Sequence, residues 1–195
     1  MRYFVDSEFI EDGKTIDLIS LGIVAEDGRE YYVQSTEVDY GKASSWVWEN
    51  VITNLVPCPD RPFTEAFVDK MQHSNGRCRT DCPWDTREHI RNVLLDFCDP
   101  KIHGKPEFWG YYADYDWVVL CQLFGKMMDL PEGWPMYMLD LKQLCMSLGN
   151  PRLAKQTQNE HNALADAKWV KGQYARLKSK VEDSDEPDLW DIGVI

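Results

Sequence analysis

A chain of 195 residues with 44% hydrophobic and 28% charged residues is long enough for one domain with a sizeable core and has the balance of a soluble globular protein. Its net charge of −12 argues against the broad basic face by which many proteins grip nucleic acid, because that grip depends on releasing counterions from many phosphates, but it leaves room for a nucleic-acid enzyme whose positive charge is carried by metal cations. No apolar run approaches the roughly 18 residues that span a bilayer, and the opening MRYFVDSEF lacks the basic and apolar regions of a signal peptide, so a cytoplasmic protein with no membrane partner is expected.

Residues 2–6 (RYFVD) and 16–24 (IDLISLGIV) are aromatic and β-branched and flank an EDGK turn, which predicts two neighbouring strands. Residues 30–35 (EYYVQS) follow the Asp27-Gly28 turn and complete a three-stranded meander whose first strand ends in Asp6. Residues 44–55 (SSWVWENVITNL) predict a helix, with Trp46, Val47 and Val51 at helical spacing and Ser44 or Ser45 as its cap. Residues 56–85, with four prolines, three cysteines and Gly76, break the pattern and read as an insertion containing at most a short helix over 64–72.

Thr86 opens an amphipathic helix with Ile90, Val93, Leu94 and Phe97 on one face. Residues 107–113 (EFWGYYA) read as a buried strand and 115–128 as a second helix. Residues 136–139 form a short strand before a helix capped by Asp140, which stops at Gly149-Asn150-Pro151. A last helix runs from near His161 to about Lys180, and the acidic residues 181–195 form a tail. A meander followed by alternating strands and helices implies an α/β sandwich, with a mixed central sheet flanked by helices, as one domain over 1–180 with the insertion at about 56–85. Cys98, Cys121 and Cys145 sit inside apolar helical patterns, as reduced thiols do.

Asp6 and Glu8 stand two residues apart, so a continued strand places both carboxylates on one face. Taken alone, such acids are as often surface groups at a strand end. Asp116 heads the helix after EFWGYYA, where a carboxylate also serves as a negative charge facing the helix dipole; Asp114 competes with it, and spacing does not choose between them. His161 and Asp166 are five positions apart, about 140° on a helix, so they share a face only if His161 lies on the loop before the helix proper. The sequence QTQNEHNALADA, polar up to His161 and Ala-rich after it, fits that arrangement. Four carboxylates and an imidazole that converge can hold two divalent cations and activate a water, which is the equipment of a phosphodiesterase. The imidazole titrates near neutral pH and can take a proton there, and hard carboxylate oxygens with no obligatory thiolate point to Mg²⁺ or Mn²⁺.

The order DxE near the first strand's end, Tyr115-Asp116 at a strand-to-helix turn, and HxAxxD over 161–166 resembles the three motifs of the DEDDh 3′–5′ exonucleases. In finer detail DSEFIEDG, LISLGIVAEDGREYYVQSTE and YDWVVLCQLFG are similar to the RNase AS family of adenylate-preferring 3′ exoribonucleases, over residues 1–55 and 86–180. The resemblance implies an RNase H-like fold, single-stranded RNA as substrate, two Mg²⁺ or Mn²⁺ ions and a homodimer. It further implies that Asp6, Glu8 and Asp166 bind the catalytic metal, that Asp6 also touches the second, that Asp116 rather than Asp114 holds the second, and that His161 is the general base.

Phe9 and Ile10 follow Glu8 where family members place residues against the terminal base or sugar, and with Ser7 they are the expected substrate contacts. As bland alternatives, Phe9 and Ile10 are core residues, as Trp109 and Trp117 are taken to be. Lys142, Arg152 and Lys155 precede the His161 loop and could meet backbone phosphates, or be solvated surface charge. Cys58, His73, Cys78 and Cys82 offer four ligands for a structural Zn²⁺, but Cys58 is remote and the spacing matches no standard finger, so a plain loop over one edge of the site is the preferred reading. The competing functions are a DNA-directed exonuclease of the same fold and an inactive nucleic-acid-binding module.

Overall fold

The computed structural model describes residues 1–57 and 82–182. The possible helix over 64–72, three of the four zinc candidates (Cys58, His73 and Cys78) and the tail from 183 onward lie outside the described residues.

The meander forms as expected: β1 (Arg2–Glu11), β2 (Ile16–Ala25) and β3 (Glu30–Ser35) pair antiparallel in chain order. Its first turn is built by Asp12, whose carboxylate accepts the backbone N–H groups of Lys14 and Thr15 at 2.9 and 2.7 Å, while Gly13 supplies the positive φ. β1 runs on to Glu11 instead of ending at Asp6, because Ser7 and Glu8 keep their partners, Leu21 and Ser20, on β2. The polar DSE string resembles a strand end in composition, yet pairing continues through it, shifts register in a bulge between Glu8 and Phe9, and resumes to Glu11.

Helix α1 (Ser45–Asn50) is capped by Ser44, whose side chain accepts the Val47 N–H, and a 3₁₀ turn over Ile52–Asn54 replaces its expected continuation. Within the segment read as an insertion, β4 (Trp84–Asp85) pairs parallel with β3. Helix α2 (Arg87–Phe97) has the expected Thr86 cap, and the short α3 (Pro100–His103) follows it. β5 (Glu107–Gly110) stops short of residue 113 because Tyr112 adopts a positive φ of 56°. Helix α4 (Asp114–Gln122) also ends early, β6 is reduced to Leu139–Asp140, and Asp140 caps α5 (Leu141–Ser147) as expected. The long α6 (Ala163–Glu182) closes the described fold.

The sheet order is β4-β3-β2-β1-β5-β6, with β5 parallel to β1 and β6 parallel to β5. It is therefore mixed, and β1 lies inside it. The period-two alternation of β1 then dictates the layers. Tyr3 and Val5 join an apolar cluster with Ile90 and Leu94 of α2 and Leu120 of α4 on one face. Phe4 joins Leu141, Cys145, Val170, Tyr174 and Leu177 of α5 and α6 on the other. A third cluster, containing Ile10, Ile19, Tyr40, Ile52 and Trp84, fills the space under α1. Among the described residues, Cys82, Cys98, Cys121 and Cys145 are free thiols, and no helix is long and apolar enough to cross a membrane.

Candidate active site

The alternation that sends Phe4 toward α6 sends Asp6 and Glu8 the same way. What lets α6 come close enough to meet them is Gly22. It pairs with Asp6 across the β1–β2 ladder, and a Cβ there would lie 2.3 Å from the backbone of Ala163, the first residue of α6. Asn162 caps that helix, its Oδ1 accepting the Ala165 N–H at 3.1 Å and its carbonyl accepting the Asp166 N–H at 2.9 Å. The cap places Asp166 over the sheet. One carboxylate oxygen each from Asp6, Glu8 and Asp166 lie within 4.8 Å of one another.

His161 stands before the helix, on the loop, with φ of 65°. Its backbone N–H donates to Asp166 Oδ2 at 3.0 Å, and its ring meets the Trp46 indole edge-on with centroids 4.9 Å apart. The condition for His161 and Asp166 to share a face is thus met.

Asp116 comes from the opposite layer. It is 5% exposed, in the first turn of α4, and its Oδ1 accepts both the Ser7 backbone N–H (2.8 Å) and the Ser7 hydroxyl (2.5 Å). Two donors on one oxygen fix the carboxylate and leave Oδ2 free of both. Asp114 is exposed and outside the cavity lining.

Asp6, Glu8, Asp116, His161 and Asp166 all line one cavity of about 940 Å³. Burial raises the Asp6 carboxyl well above the usual range, and the charges of Asp116, Glu8 and Asp166 add to the effect. Burial and the charges of Asp166 and Asp116 push Glu8 up to about 8. Burial also raises Asp116 to about 6, against the two Ser7 hydrogen bonds that hold it down, and it raises Asp166 against its bonds from Gln156 and His161. Four withdrawn carboxylates repel one another unless protons or cations intervene. Their donors are hard oxygens without sulfur, which fits Mg²⁺ or Mn²⁺, with Asp6, Glu8 and Asp166 as the oxygen cluster and Asp116 beside it.

The walls are aromatic. Phe9 stacks on Tyr115 with centroids 5.7 Å apart and planes 21° apart, and Trp46, Tyr111, Tyr112 and Trp169 also face the cavity. Sequence reasoning singled out Phe9 but missed these others and Gln156; Tyr115 alone carried a signal, as the neighbour of Asp116. Ile10 borders the cavity but is 2% exposed and packed in the cluster under α1, which is the core alternative. Ser7 is committed to Asp116. Lys142 and Arg152 fall outside the lining: Lys142 Nζ donates to Asn150 Oδ1 at 3.0 Å, next to the end of α5, and Arg152 is exposed to solvent. Lys155 does reach the lining, and Trp109 and Trp117 are buried as taken.

Comparison with known proteins agrees with this geometry in fold and family. The nuclease domain of 3′hExo, a DEDDh family member solved bound to rAMP, superposes with a TM-score of 0.51 at 15% identity, covering 92% of each chain. The Mg²⁺- and Mn²⁺-bound form of Pop2p from S. pombe superposes with a TM-score of 0.52 at 11% identity, covering 95% of this chain and 86% of that one. The fold is therefore that of the DEDDh nucleases, RNase H-like, with its mixed six-stranded sheet. In sequence, the 3′–5′ exoribonuclease Rv2179c of Mycobacterium tuberculosis (strain H37Rv) is 41% identical over 168 residues, which is 86% of this chain and 88% of the relative. The 3′–5′ exoribonuclease MT2234.1 of strain CDC 1551 matches to the same degree. The 3′–5′ exoribonuclease Rv2179c-like domain matches residues 69–177, a stretch that begins inside the 56–85 segment and contains Asp116, His161 and Asp166. On this likeness the chain belongs to the Rv2179c-like family of 3′–5′ exoribonucleases.

Proposed function

We propose that this protein is a metal-dependent exoribonuclease that removes nucleoside monophosphates from the 3′ end of single-stranded RNA, adenylate-rich ends fastest. The observation that carries the reading is the meeting of Asp6, Glu8 and Asp166 within 4.8 Å in a cavity that also holds Asp116 and His161. Bound Mg²⁺ or Mn²⁺ would supply positive charge to the scissile phosphate and a water of lowered pKa. Asp6, Glu8 and Asp166 would hold one ion, Asp6 and Asp116 the other, and Ser7 keeps Asp116 aimed. His161 takes the proton of the attacking water, and Trp46 braces its ring. Phe9, Tyr115 and Trp46 offer faces on which bases stack, each worth about 1–3 kcal/mol, and adenine presents a larger face than a pyrimidine.

Incubation with Mg²⁺ of RNA and DNA oligomers of one sequence, alongside the homopolymeric RNAs, tests the proposal. RNA should be shortened, DNA spared, and poly(A) degraded fastest. Equal attack on DNA would overturn the RNA selectivity, which needs a contact to the 2′-hydroxyl. No metal-dependent release of nucleotides would overturn the activity and favour a binding module.

A further inference from the structure

The loop that carries His161 is strained. Asn159 and His161 have positive φ of 55° and 65°, a conformation that residues other than glycine keep only where their surroundings impose it. The entry to the loop is fixed to α6 at Ala154, whose N–H is accepted by Gln173 Oε1 at 2.8 Å and whose carbonyl accepts Trp169 Nε1 at 2.9 Å. Beyond that anchor the holding passes to Gln156. Its Nε2 lies within hydrogen-bond distance of three acceptors, the carbonyls of Gln158 (3.3 Å) and Asn159 (3.2 Å) and Asp166 Oδ1 (2.5 Å), which share the two N–H groups of the amide. The His161 N–H reaches the other oxygen of that same carboxylate. The Asp166 carboxylate is thus gripped from both ends of the strained turn.

We propose that Gln156 is a positioning residue for the reaction: its carboxamide ties the His161 loop to Asp166 and so fixes the imidazole relative to the clustered acids. The inference rests on the reading of His161 as general base. All three partners of Gln156 are acceptors, so the position requires a side-chain NH₂ group. Glutamate has the same shape but would bring a second negative charge to Asp166 with nothing to donate. Leucine keeps most of the volume and donates nothing either. The bond to Asp166 is charge-assisted and is the strongest of the three in kind.

The test combines Gln156→Leu and Gln156→Glu with His161→Ala in the full chain, measured by single-turnover RNA hydrolysis, by steady-state kcat and KM, and by hydrogen exchange at the His161 amide. Misplacing a reacting group by about 1 Å can cost about 10²-fold, so kcat in each Gln156 variant should fall by about that factor with KM within about threefold. The loss should vanish in the His161→Ala background, because a residue that acts through the imidazole has nothing left to position. The His161 amide should exchange faster in both Gln156 variants than in the wild type. An equal loss in both backgrounds, no loss in either, or unchanged exchange at His161 would overturn the proposal. Should His161→Ala itself prove fully active, the reading of His161 as base falls, and the exchange measurement alone decides whether Gln156 holds the loop.

Discussion

Ser7 holds a neighbouring acid in place by two hydrogen bonds to one oxygen. It sits between the two acids of β1 but on the opposite face, and both its hydroxyl and its N–H point to Asp116 Oδ1. Ser7→Ala should keep the backbone bond, lose the hydroxyl bond, and destabilise the fold by about 1.5–3 kcal/mol, the usual range for a hydrogen bond to a charged group. Denaturant unfolding reads that loss, and nucleotide release should fall with it. A Ser7→Ala protein with wild-type stability and activity would show that Asp116 needs no such support. The acids themselves predict a pH dependence. Glu8 is raised from 4.5 to about 8 in the folded protein, so between those values the fold keeps a proton that the unfolded chain has released. Its contribution is complete below the unfolded value and is lost as pH rises toward 8. Without divalent cations the melting temperature should therefore fall across that window, and Glu8→Gln or added Mg²⁺ should flatten the fall. A metal-free melting temperature that climbs over the same range would contradict the burial of these carboxylates.

At the scale of elements, the site depends on how closely α6 sits on the sheet. Gly22 is opposite Asp6, and a methyl group there would collide with the backbone of Ala163 and Leu164 at 2.3–2.4 Å, which no flexible side chain can relieve. Gly22→Ala should destabilise by at least about 1–3 kcal/mol, as overpacking does, and should lower activity by moving Asp166 and His161 off the cluster. Gly172→Ala, further along α6 with nothing within 4 Å of the new methyl, should be neutral or stabilising by up to about 1 kcal/mol. Calorimetry on the two variants separates a lost close approach from a general intolerance of alanine. Why Gly22 is glycine could not be read from the chain, because it lies within a strand and its neighbour, Ala163, arrives 141 residues later. The caps at Ser44, Thr86 and Asp140 were legible, since each depends on residues within three positions. Strand ends were not: β1 outlasts its apolar stretch through pairing with β2, while β5 yields to the backbone at Tyr112.

Across the whole molecule, the motif residues were the most legible part, because DxE, Tyr-Asp and HxAxxD each keep their acids at spacings that strands and helix starts convert into convergence. The aromatic walls and Gln156 were not legible, because Trp46, Tyr111, Trp169 and Gln156 come from four separate places in the chain and meet only when the layers assemble. The net charge of −12 acquires a local meaning in this arrangement. Glu11 and Glu160 join Asp6, Glu8, Asp116 and Asp166 around a cavity in which Lys155 is the one lysine or arginine among the described lining residues, so the proposed cations would supply most of the positive charge that a phosphate meets there. The most direct test of the central claim is a time course, resolved to single nucleotides, of a 5′-labelled single-stranded RNA with Mg²⁺, run with the wild type and with Asp6→Ala. A metal-dependent 3′ exonuclease should give a ladder that shortens one nucleotide at a time from the 3′ end with the wild type, and intact RNA with a folded Asp6→Ala protein. Internal cuts, shortening from the 5′ end, or an undiminished ladder with Asp6→Ala would contradict the claim.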